Sequence, residues 1–109
     1  MEVKRIAILG SGSGGLAAAG DLSLKGFEIN LFELPEFKTN IDPLIEPKTV
    51  KLVGGIAGTA KLNYVGADIS KAIQNVDLIM VVTVAQAHKR VANLLAPHIS
   101  EGQIVYINP

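Results

Sequence analysis

The residues best suited to chemistry are a glycine-rich turn and one acidic residue that follows it. Gly10, Gly12 and Gly15 satisfy the spacing G-x-G-x-x-G, and Glu33 comes 18 residues after the third glycine. In such a turn the first glycine allows a tight bend, the second admits a pyrophosphate, and the third lets a helix pack closely. The free N–H groups of that helix's first turn attract phosphate oxygens. A carboxylate about 20 residues further on can accept hydrogen bonds from ribose hydroxyls.

These residues predict a dinucleotide site, with Ser11, Ser13 and Gly14 also in the phosphate-binding turn. Because a carboxylate at Glu33 would repel a 2′-phosphate, the site favours NAD over NADP. A glycine turn that only packs a strand against a helix is one alternative. FAD is another, since the same turn and late acid suit flavoproteins, although the residues after Glu33 lack a basic, glycine-rich continuation.

The turn must be positioned by the elements around it, and their patterns indicate strand, helix and strand. Val3 to Leu9 is an apolar run with β-branched residues, and Glu28 to Phe32 is a second such run. Between them, small and apolar residues at helical spacing predict a helix from Gly14 to Lys25, which Gly26 ends. This order is a βαβ unit with a parallel pair of strands.

The middle of the chain has a weaker pattern because Pro35, Pro43 and Pro47 interrupt it. We expect a short helix from Glu36 to Asn40 that continues past Asp42-Pro43. Two strand-like runs follow, and the glycine-rich stretch from Gly54 to Thr59 separates them. These runs, Thr49–Val53 and Ala60–Val65, predict a hairpin or two short strands joined by a flexible loop.

The last third of the chain again alternates between helix and strand. Asp68 caps a predicted helix whose apolar residues recur at helical spacing, namely Ile69, Ala72, Ile73 and Val76. An apolar strand, Leu78 to Val82, leads through a turn at Thr83 to Ala85 into a helix that ends near Ala96. We expect this helix to direct five side chains inward: Val84, Ala87, Val91, Leu94 and Leu95. Gln103 to Ile107 is the final apolar strand.

These elements predict an α/β fold of the Rossmann type, with a mostly parallel sheet and helices on both faces. We expect residues 1–109 to form one dinucleotide-binding domain, truncated after the fifth or sixth strand, without a catalytic carboxy-terminal domain. We therefore expect a fragment, a trimmed form or one product of a split gene. An uncovered sheet face would favour self-association or binding to a second chain that carries the catalytic half.

Composition excludes several classes of function. Ten basic and ten acidic residues give a net charge of zero, which argues against nucleic acid or an anionic membrane as partner. The absence of cysteine excludes disulfides and thiolate metal sites, and the two histidines lack an acid in register for a metal site. The apolar run Ile6 to Leu9 is too short for a membrane span or signal peptide, so the cytoplasm is the expected compartment.

Several segments resemble the amino-terminal domain of the opine dehydrogenases, the octopine and nopaline dehydrogenase group. The segments that carry the resemblance are Ala7–Ala17, Leu24–Glu28, Asp77–Ile79, Val82–His88 and Ile107–Pro109. In the fourth segment Val84 stands where the family has proline.

The resemblance implies a Rossmann-type domain that binds NAD or NADP. Family members join an amino acid and a 2-oxo acid through an imine, which they reduce by hydride transfer. Their acid–base residues lie in a carboxy-terminal helical domain, so no residue of this chain inherits a catalytic role, and we expect the isolated chain to be inactive. A non-enzymatic module for nucleotide sensing or assembly is the alternative.

The resemblance also assigns binding roles to particular residues. It implies that the pyrophosphate contacts Gly10, Gly12, Ser13, Gly14 and Gly15, and that Glu33 contacts the adenosine ribose. It places Thr83, Ala85 and His88 near the second ribose or the nicotinamide.

Overall fold

The computed structural model of the chain describes residues 2–52 and 58–107. Within these residues the strands are β1 Arg5–Leu9, β2 Glu28–Phe32, β3 Thr49–Leu52, β4 Gly58–Lys61, β5 Tyr64–Gly66, β6 Leu78–Val81 and β7 Ile104–Ile107. The α-helices there are α1 Ser13–Leu24, α2 Asp42–Ile45, α3 Ile69–Ala72 and α4 His88–Leu95. Two 3₁₀ segments, Pro35–Asn40 and Ala85–Ala87, follow β2 and β6.

Five strands form a parallel sheet in the order β5-β2-β1-β6-β7. From β1 the chain moves outward through β2 to β5, then returns to the other side of β1 for β6 and β7. This reversal of direction creates a switch point beside β1, where doubly wound sheets bind ligands at the carboxyl ends of their strands. The predicted α/β fold with a parallel sheet is confirmed.

Both faces of the sheet are covered, as the apolar strands require. Alternate residues of β1 enter two separate cores, with Ile6 and Ile8 in one and Ala7 and Leu9 in the other. The first core includes residues of α1 and β3, and the second includes residues of α3 and α4. The helices therefore lie on opposite faces, as predicted.

The second strand-like run of the middle region divides into two strands that belong to different sheets. β4 pairs antiparallel with β3, which confirms the predicted hairpin, whereas β5 pairs parallel with β2 in the main sheet. The change occurs at Leu62 and Asn63, whose N–H groups donate to Lys48 O and to Ile29 O at 2.6 and 2.8 Å. The predicted single strand Ala60–Val65 is thus wrong. Of the predicted loop, Gly54 to Thr59, residues 54–57 lie outside the described residues, and Gly58 and Thr59 belong to β4.

The helix after β6 begins later than its apolar spacing predicts. Val84 has extended backbone angles and is 69% exposed, so the expectation that it packs inward is wrong. The reason is that Val84 precedes the first helical turn, so helical spacing does not apply to it. The other four inward residues are buried or partly buried: Ala87, Val91, Leu94 and Leu95.

The helix that Asp68 caps is also shorter than the spacing of its apolar residues predicts. Asp68 accepts hydrogen bonds from Ser70 N and Lys71 N, as an N-cap does, but α3 ends at Ala72. Ile73, at the carboxyl end of α3, and Val76 are nevertheless buried in the same core; Asn75, in the left-handed region, lies in the turn between them. The predicted apolar face therefore exists without a continuous helix.

Candidate functional site

Four strands, β5, β2, β1 and β6, end at the same edge of the sheet, and backbone hydrogen bonds beyond the strands hold their exits together. Gly10 N donates to Phe32 O at 2.8 Å, and Val82 N donates to Leu9 O at 2.8 Å. Glu33 N donates to Gly66 O at 3.1 Å. The residues that directly follow β1, β2 and β6 are therefore neighbours.

Two positions of the turn that follows β1 accept only glycine. Gly10 has φ +123°, and a Cβ there would collide with the carbonyl of Val82. A Cβ on Gly15 would collide with the carbonyl of Gly10. Gly15 thus lets α1 approach the turn itself, which refines the expectation that it packs on the sheet.

Gly12 differs because a Cβ on it would meet no atom within 4 Å. It is the N-cap of α1 and provides no side-chain hydrogen bond. Ser13 and Gly14 are exposed in the first turn, which contains no acidic residue. The N–H groups of a first helical turn have no partners within the helix, so this end of α1 is open to an anion.

A cavity of about 190 Å³ lies between the glycine turn and the segments after β2 and β6. Its walls are Gly10, Ser11, Gly12, Glu33, Leu34, Phe37, Asn40, Val82, Thr83, Val84 and Ala87. Pockets for complete organic ligands usually enclose about 300 to 1,000 Å³. This cavity is therefore suited to one part of a dinucleotide, with the remainder along the open edge.

Thr83 contributes a hydroxyl to the site that has no partner. Its Oγ1 is buried and makes no hydrogen bond within the described part of the chain. Buried hydroxyl groups are normally paired, because burial without a partner costs free energy. A polar ligand group in the adjoining cavity would supply the missing partner.

Glu33 is 6% exposed, and donors from the protein hold its carboxylate. Oε2 accepts from Ser11 N at 2.8 Å and from Ser11 Oγ at 2.6 Å. Oε1 accepts from Leu34 N at 2.8 Å. The acid therefore lies at the predicted place, but part of its accepting capacity is used by the glycine turn.

The structure brings together five of the ten predicted site residues in the cavity wall: Gly10, Ser11, Gly12, Glu33 and Thr83. Ser13, Gly14 and Gly15 lie next to them in the first turn of α1. Ala85 and His88 are outside the wall. His88 Nε2 is 3.2 Å from Thr83 O, so its ring contacts the backbone of the turn after β6.

The sequence analysis missed part of the cavity wall. Phe37 is 49% exposed in the 3₁₀ segment after β2, and Val84 faces the same cavity from the turn after β6. Asn40 and Ala87 complete these two sides. No signal in the sequence singled out Phe37, because Leu34 and Ile41 lie three and four residues away from it, at the helical spacing that predicts a buried face.

An ion pair connects the two sides of this cavity. Arg90 Nη1 contacts Glu36 Oε2, which joins α4 to the 3₁₀ segment after β2. The expectation from the sequence was that Arg90 belongs to a solvated edge, and its side chain is indeed half exposed. Because half-exposed ion pairs contribute little to stability, the pair links the two segments without fixing their spacing.

A larger, more open depression of about 360 Å³ lies at the amino ends of β1 and β2. Its lining is polar, and four of its side chains, those of Arg5, Glu28, Asn30 and Asn63, already have partners within the protein. Arg5 pairs with Glu28 at 3.1 Å, and Asn30 accepts from Asn63 Nδ2 and donates to Ala72 O. We therefore place the functional site at the opposite, carboxyl end of the strands.

Two other kinds of site are absent from the residues that the structure describes. Among them, there is no group of three or more His, Asp or Glu side chains that could hold a metal ion. No helix within the described ranges is long and apolar enough to cross a membrane.

Comparisons with protein families and with curated proteins both find dehydrogenases as relatives of this chain. A family model described as NAD-dependent glycerol-3-phosphate dehydrogenase N-terminus matches residues 5–108. An opine dehydrogenase of Arthrobacter sp. (strain 1C) is 34% identical over 110 residues, which cover 100% of this chain and 30% of that protein. A glycerol-3-phosphate dehydrogenase [NAD(P)+] of Moorella thermoacetica is 35% identical over 105 residues, covering 92% of this chain and 29% of that protein.

Comparison with solved structures agrees on the fold. Octopine dehydrogenase, solved with NADH and pyruvate, superposes with a TM-score of 0.81 at 15% sequence identity. The match covers 94% of this chain and 28% of that one. The chain thus spans about three-tenths of the length of the relatives it matches.

Proposed function

The chain belongs to the family described as NAD-dependent glycerol-3-phosphate dehydrogenase N-terminus, and from this premise we propose that it binds NAD(H) in preference to NADP(H) at the cavity beside β1. It is an NAD-binding domain related to those of opine and glycerol-3-phosphate dehydrogenases. The observation that carries the proposal is the convergence of the glycine turn, Glu33 and Thr83 on one cavity.

In the proposed complex the pyrophosphate lies at the amino end of α1. Gly12 leaves open space there, and Gly10, Ser13, Gly14 and Gly15 form the turn around it. Backbone N–H groups and the helix dipole both favour the negative charge. The first turn carries no acidic side chain that would oppose it.

The adenosine occupies the cavity itself. Glu33 accepts from the ribose, and its negative charge disfavours a 2′-phosphate. Phe37 and Val84 are exposed apolar side chains on opposite sides of the cavity, so an adenine base between them would shield both from water. This arrangement supports adenosine as the part of the cofactor that the cavity holds.

The rest of the cofactor extends along the edge of the sheet towards the turn after β6. The unpaired Thr83 hydroxyl is the group that would bind it there. The roles of Ala85 and His88 near the second ribose or the nicotinamide rest on the family resemblance, and His88 also holds the Thr83 carbonyl. NAD supplies the hydride chemistry when it is bound, while these residues bind and orient it.

We propose opine-type chemistry for the complete enzyme, the reductive condensation of an amino acid with a 2-oxo acid. The 34% identity to an opine dehydrogenase over the whole chain supports it. Glycerol-3-phosphate dehydrogenation is the second candidate, and the family model and the Moorella relative favour it. In both cases the catalytic residues lie outside these 109 residues.

The binding proposal is tested by titrating the purified chain with NADH, NADPH and FAD in parallel, using nucleotide fluorescence and calorimetry. Tighter binding of NADH than of the other two is the expected result. Preferential FAD binding would overturn the assignment of the cofactor. Failure of all three to bind would instead favour the assembly-module alternative for the isolated chain.

The proposal that the catalytic residues lie outside these 109 residues has a separate test. The chain alone should not oxidise NADH with any pair of amino acid and 2-oxo acid, nor with dihydroxyacetone phosphate. Turnover with either substrate class would show that the catalytic residues are within the 109 residues after all.

A further inference from the structure

Ser11 and Glu33 form a buried pair that connects the glycine turn to the end of β2. Ser11 is 3% exposed and Glu33 is 6% exposed. Ser11 donates to Glu33 Oε2 twice, from its N–H at 2.8 Å and from its hydroxyl at 2.6 Å. A hydroxyl bond of this length to a carboxylate is among the stronger hydrogen bonds in proteins.

The number of free accepting positions on Glu33 determines what it can bind. A carboxylate offers about four lone-pair positions, two on each oxygen. Ser11 occupies both positions on Oε2, and Leu34 N occupies one on Oε1. One position on Oε1 therefore remains, whereas the diol of an adenosine ribose has two hydroxyl groups to donate.

We propose that Ser11 is a second ribose-binding residue, and that it and Glu33 share the two hydroxyls of the diol. This inference rests on the proposed function. Ser11 Oγ uses its only proton towards Glu33, so both of its lone pairs remain able to accept. Since Ser11 and Glu33 line the same cavity, one ribose hydroxyl donates to Glu33 Oε1 and the other to Ser11 Oγ.

The hydrogen bond between Ser11 and Glu33 improves both residues as acceptors for the ribose. A hydroxyl that donates to a carboxylate becomes a better acceptor, because neighbouring hydrogen bonds polarise one another. The same bond restricts the rotation of the Glu33 side chain, so the ribose meets a preorganised acceptor. Ser11 is thus both a contact and a positioning residue for Glu33.

The pair also contributes to the choice between NAD and NADP. A 2′-phosphate is largely a dianion at neutral pH and provides no proton for Ser11 or Glu33 to accept. The hydroxyl of Ser11 therefore favours NADH specifically, in addition to the repulsion between Glu33 and the phosphate. Loss of the hydroxyl should change NADH affinity more than NADPH affinity.

The test is a set of NADH and NADPH titrations on wild type, Ser11→Ala, Ser11→Cys, Glu33→Gln and the double variant Ser11→Ala/Glu33→Gln. Ser11→Ala should lower NADH affinity about tenfold, because it removes both the ribose hydrogen bond and the bond that positions the Glu33 carboxylate. NADPH affinity should change little. Ser11→Cys, which keeps the volume but has a weak donor, should resemble Ser11→Ala. In the double variant the loss should be smaller than the product of the single losses, because the residues act together.

Ser23→Ala is the matched control, since it removes a hydroxyl that donates to Lys61 O away from the cavity. It should leave both affinities unchanged, and thermal unfolding of each variant verifies that the chain is folded. If Ser11→Ala does not fold, the near-isosteric Ser11→Cys decides the question.

The possible results distinguish failure of the Ser11 proposal from failure of the proposed function. Wild type that fails to bind NADH overturns the proposed function. Wild type that binds NADH while Ser11→Ala and Ser11→Cys bind it equally well overturns only the role of Ser11. An equal loss for NADH and NADPH, or wild-type affinity in Ser11→Cys, would show that Ser11 acts by packing and would also overturn it.

Discussion

At the scale of single residues, three glycines of one motif meet different physical demands. Gly10 combines a left-handed backbone with a close approach to Val82, and Gly15 is pressed against the carbonyl of Gly10. Gly12 has an extended φ of −68° and ψ of −176°, with open space where a side chain would be. The first two are therefore required by the fold, whereas the third is required only if a ligand fills that space.

The pair Gly15→Ala and Gly12→Ala tests this division. Gly15→Ala should destabilise the chain by about 1–3 kcal/mol, because its Cβ overpacks the turn. Gly12→Ala should change the melting temperature little, since alanine adopts its backbone angles without strain. It should nevertheless lower NADH affinity at least about tenfold, because its Cβ enters the space for the pyrophosphate.

Thermal unfolding by circular dichroism and NADH fluorescence titration measure the two effects on the same samples. Wild-type NADH affinity in Gly12→Ala would show that the pyrophosphate does not approach that position. An unaltered melting temperature in Gly15→Ala would show that the turn can move away from α1.

At the scale of elements, two aspartates fix the starts of strands and helices away from the cavity. Asp77 Oδ2 accepts from Lys4 N at 2.9 Å and from Arg5 N at 3.0 Å, which joins the starts of β6 and β1. These bonds, that from Lys4 first, lower the pKa of Asp77 below its usual value. At the start of α3, the Ser70 hydroxyl is the largest cause of the lowered pKa of Asp68.

The lowered pKa values predict how stability depends on pH. In the acid range the unfolded chain binds protons at these two residues before the folded chain does, so stability rises with pH there. Their contribution is complete above the unfolded pKa, near pH 4, and is lost as pH falls through the lower folded values. Asp77→Asn and Asp68→Asn should each flatten this acid decline.

Urea unfolding between pH 2 and pH 7 measures the effect. Because the two sites are separate and share no partner, the flattening in the double variant should be the sum of the single effects. A double variant with the wild-type dependence on pH would exclude these two carboxylates as its source.

At the scale of the whole molecule, β7 is the least covered element of the sheet. It lies at one end of the strand order, and its four residues, Ile104 to Ile107, are 39% to 52% exposed. The exposed side chains of β7 project from both faces of the sheet, because side chains alternate along a strand. An exposed apolar edge strand favours pairing with another chain.

We therefore expect the chain to self-associate with increasing concentration through β7. Ile104→Lys combined with Tyr106→Lys adds two charges to one face of the strand, and should return the mass in sedimentation equilibrium towards the monomer value of 11.5 kDa. Ile99→Lys is the control, because Ile99 is an isolated exposed apolar residue outside β7. Wild type that remains at 11.5 kDa throughout, or equal effects of Ile99→Lys and the β7 variant, would contradict this expectation.

The sequence by itself determined the βαβ unit, the parallel sheet and the meeting of Gly10, Gly12 and Glu33. These features depend on periodicity and on glycine's backbone freedom, which are properties of residues close together in the chain. The fold class was predicted for the same reason, whereas the family and the placement of Thr83 came from the resemblance of whole segments; the structure and the family match confirm the fold class and the family.

Only the tertiary structure decided which partners these residues have. Ala60 to Val65 has one continuous strand pattern in the sequence. In the fold its first part pairs with β3 in the hairpin and its last part pairs with β2 in the main sheet, so the strand divides at Leu62. Val84 had helical spacing, yet it precedes the helix and faces the cavity. Ser11 and Glu33 are 22 residues apart, so their hydrogen bonds arise only when β1 and β2 lie side by side.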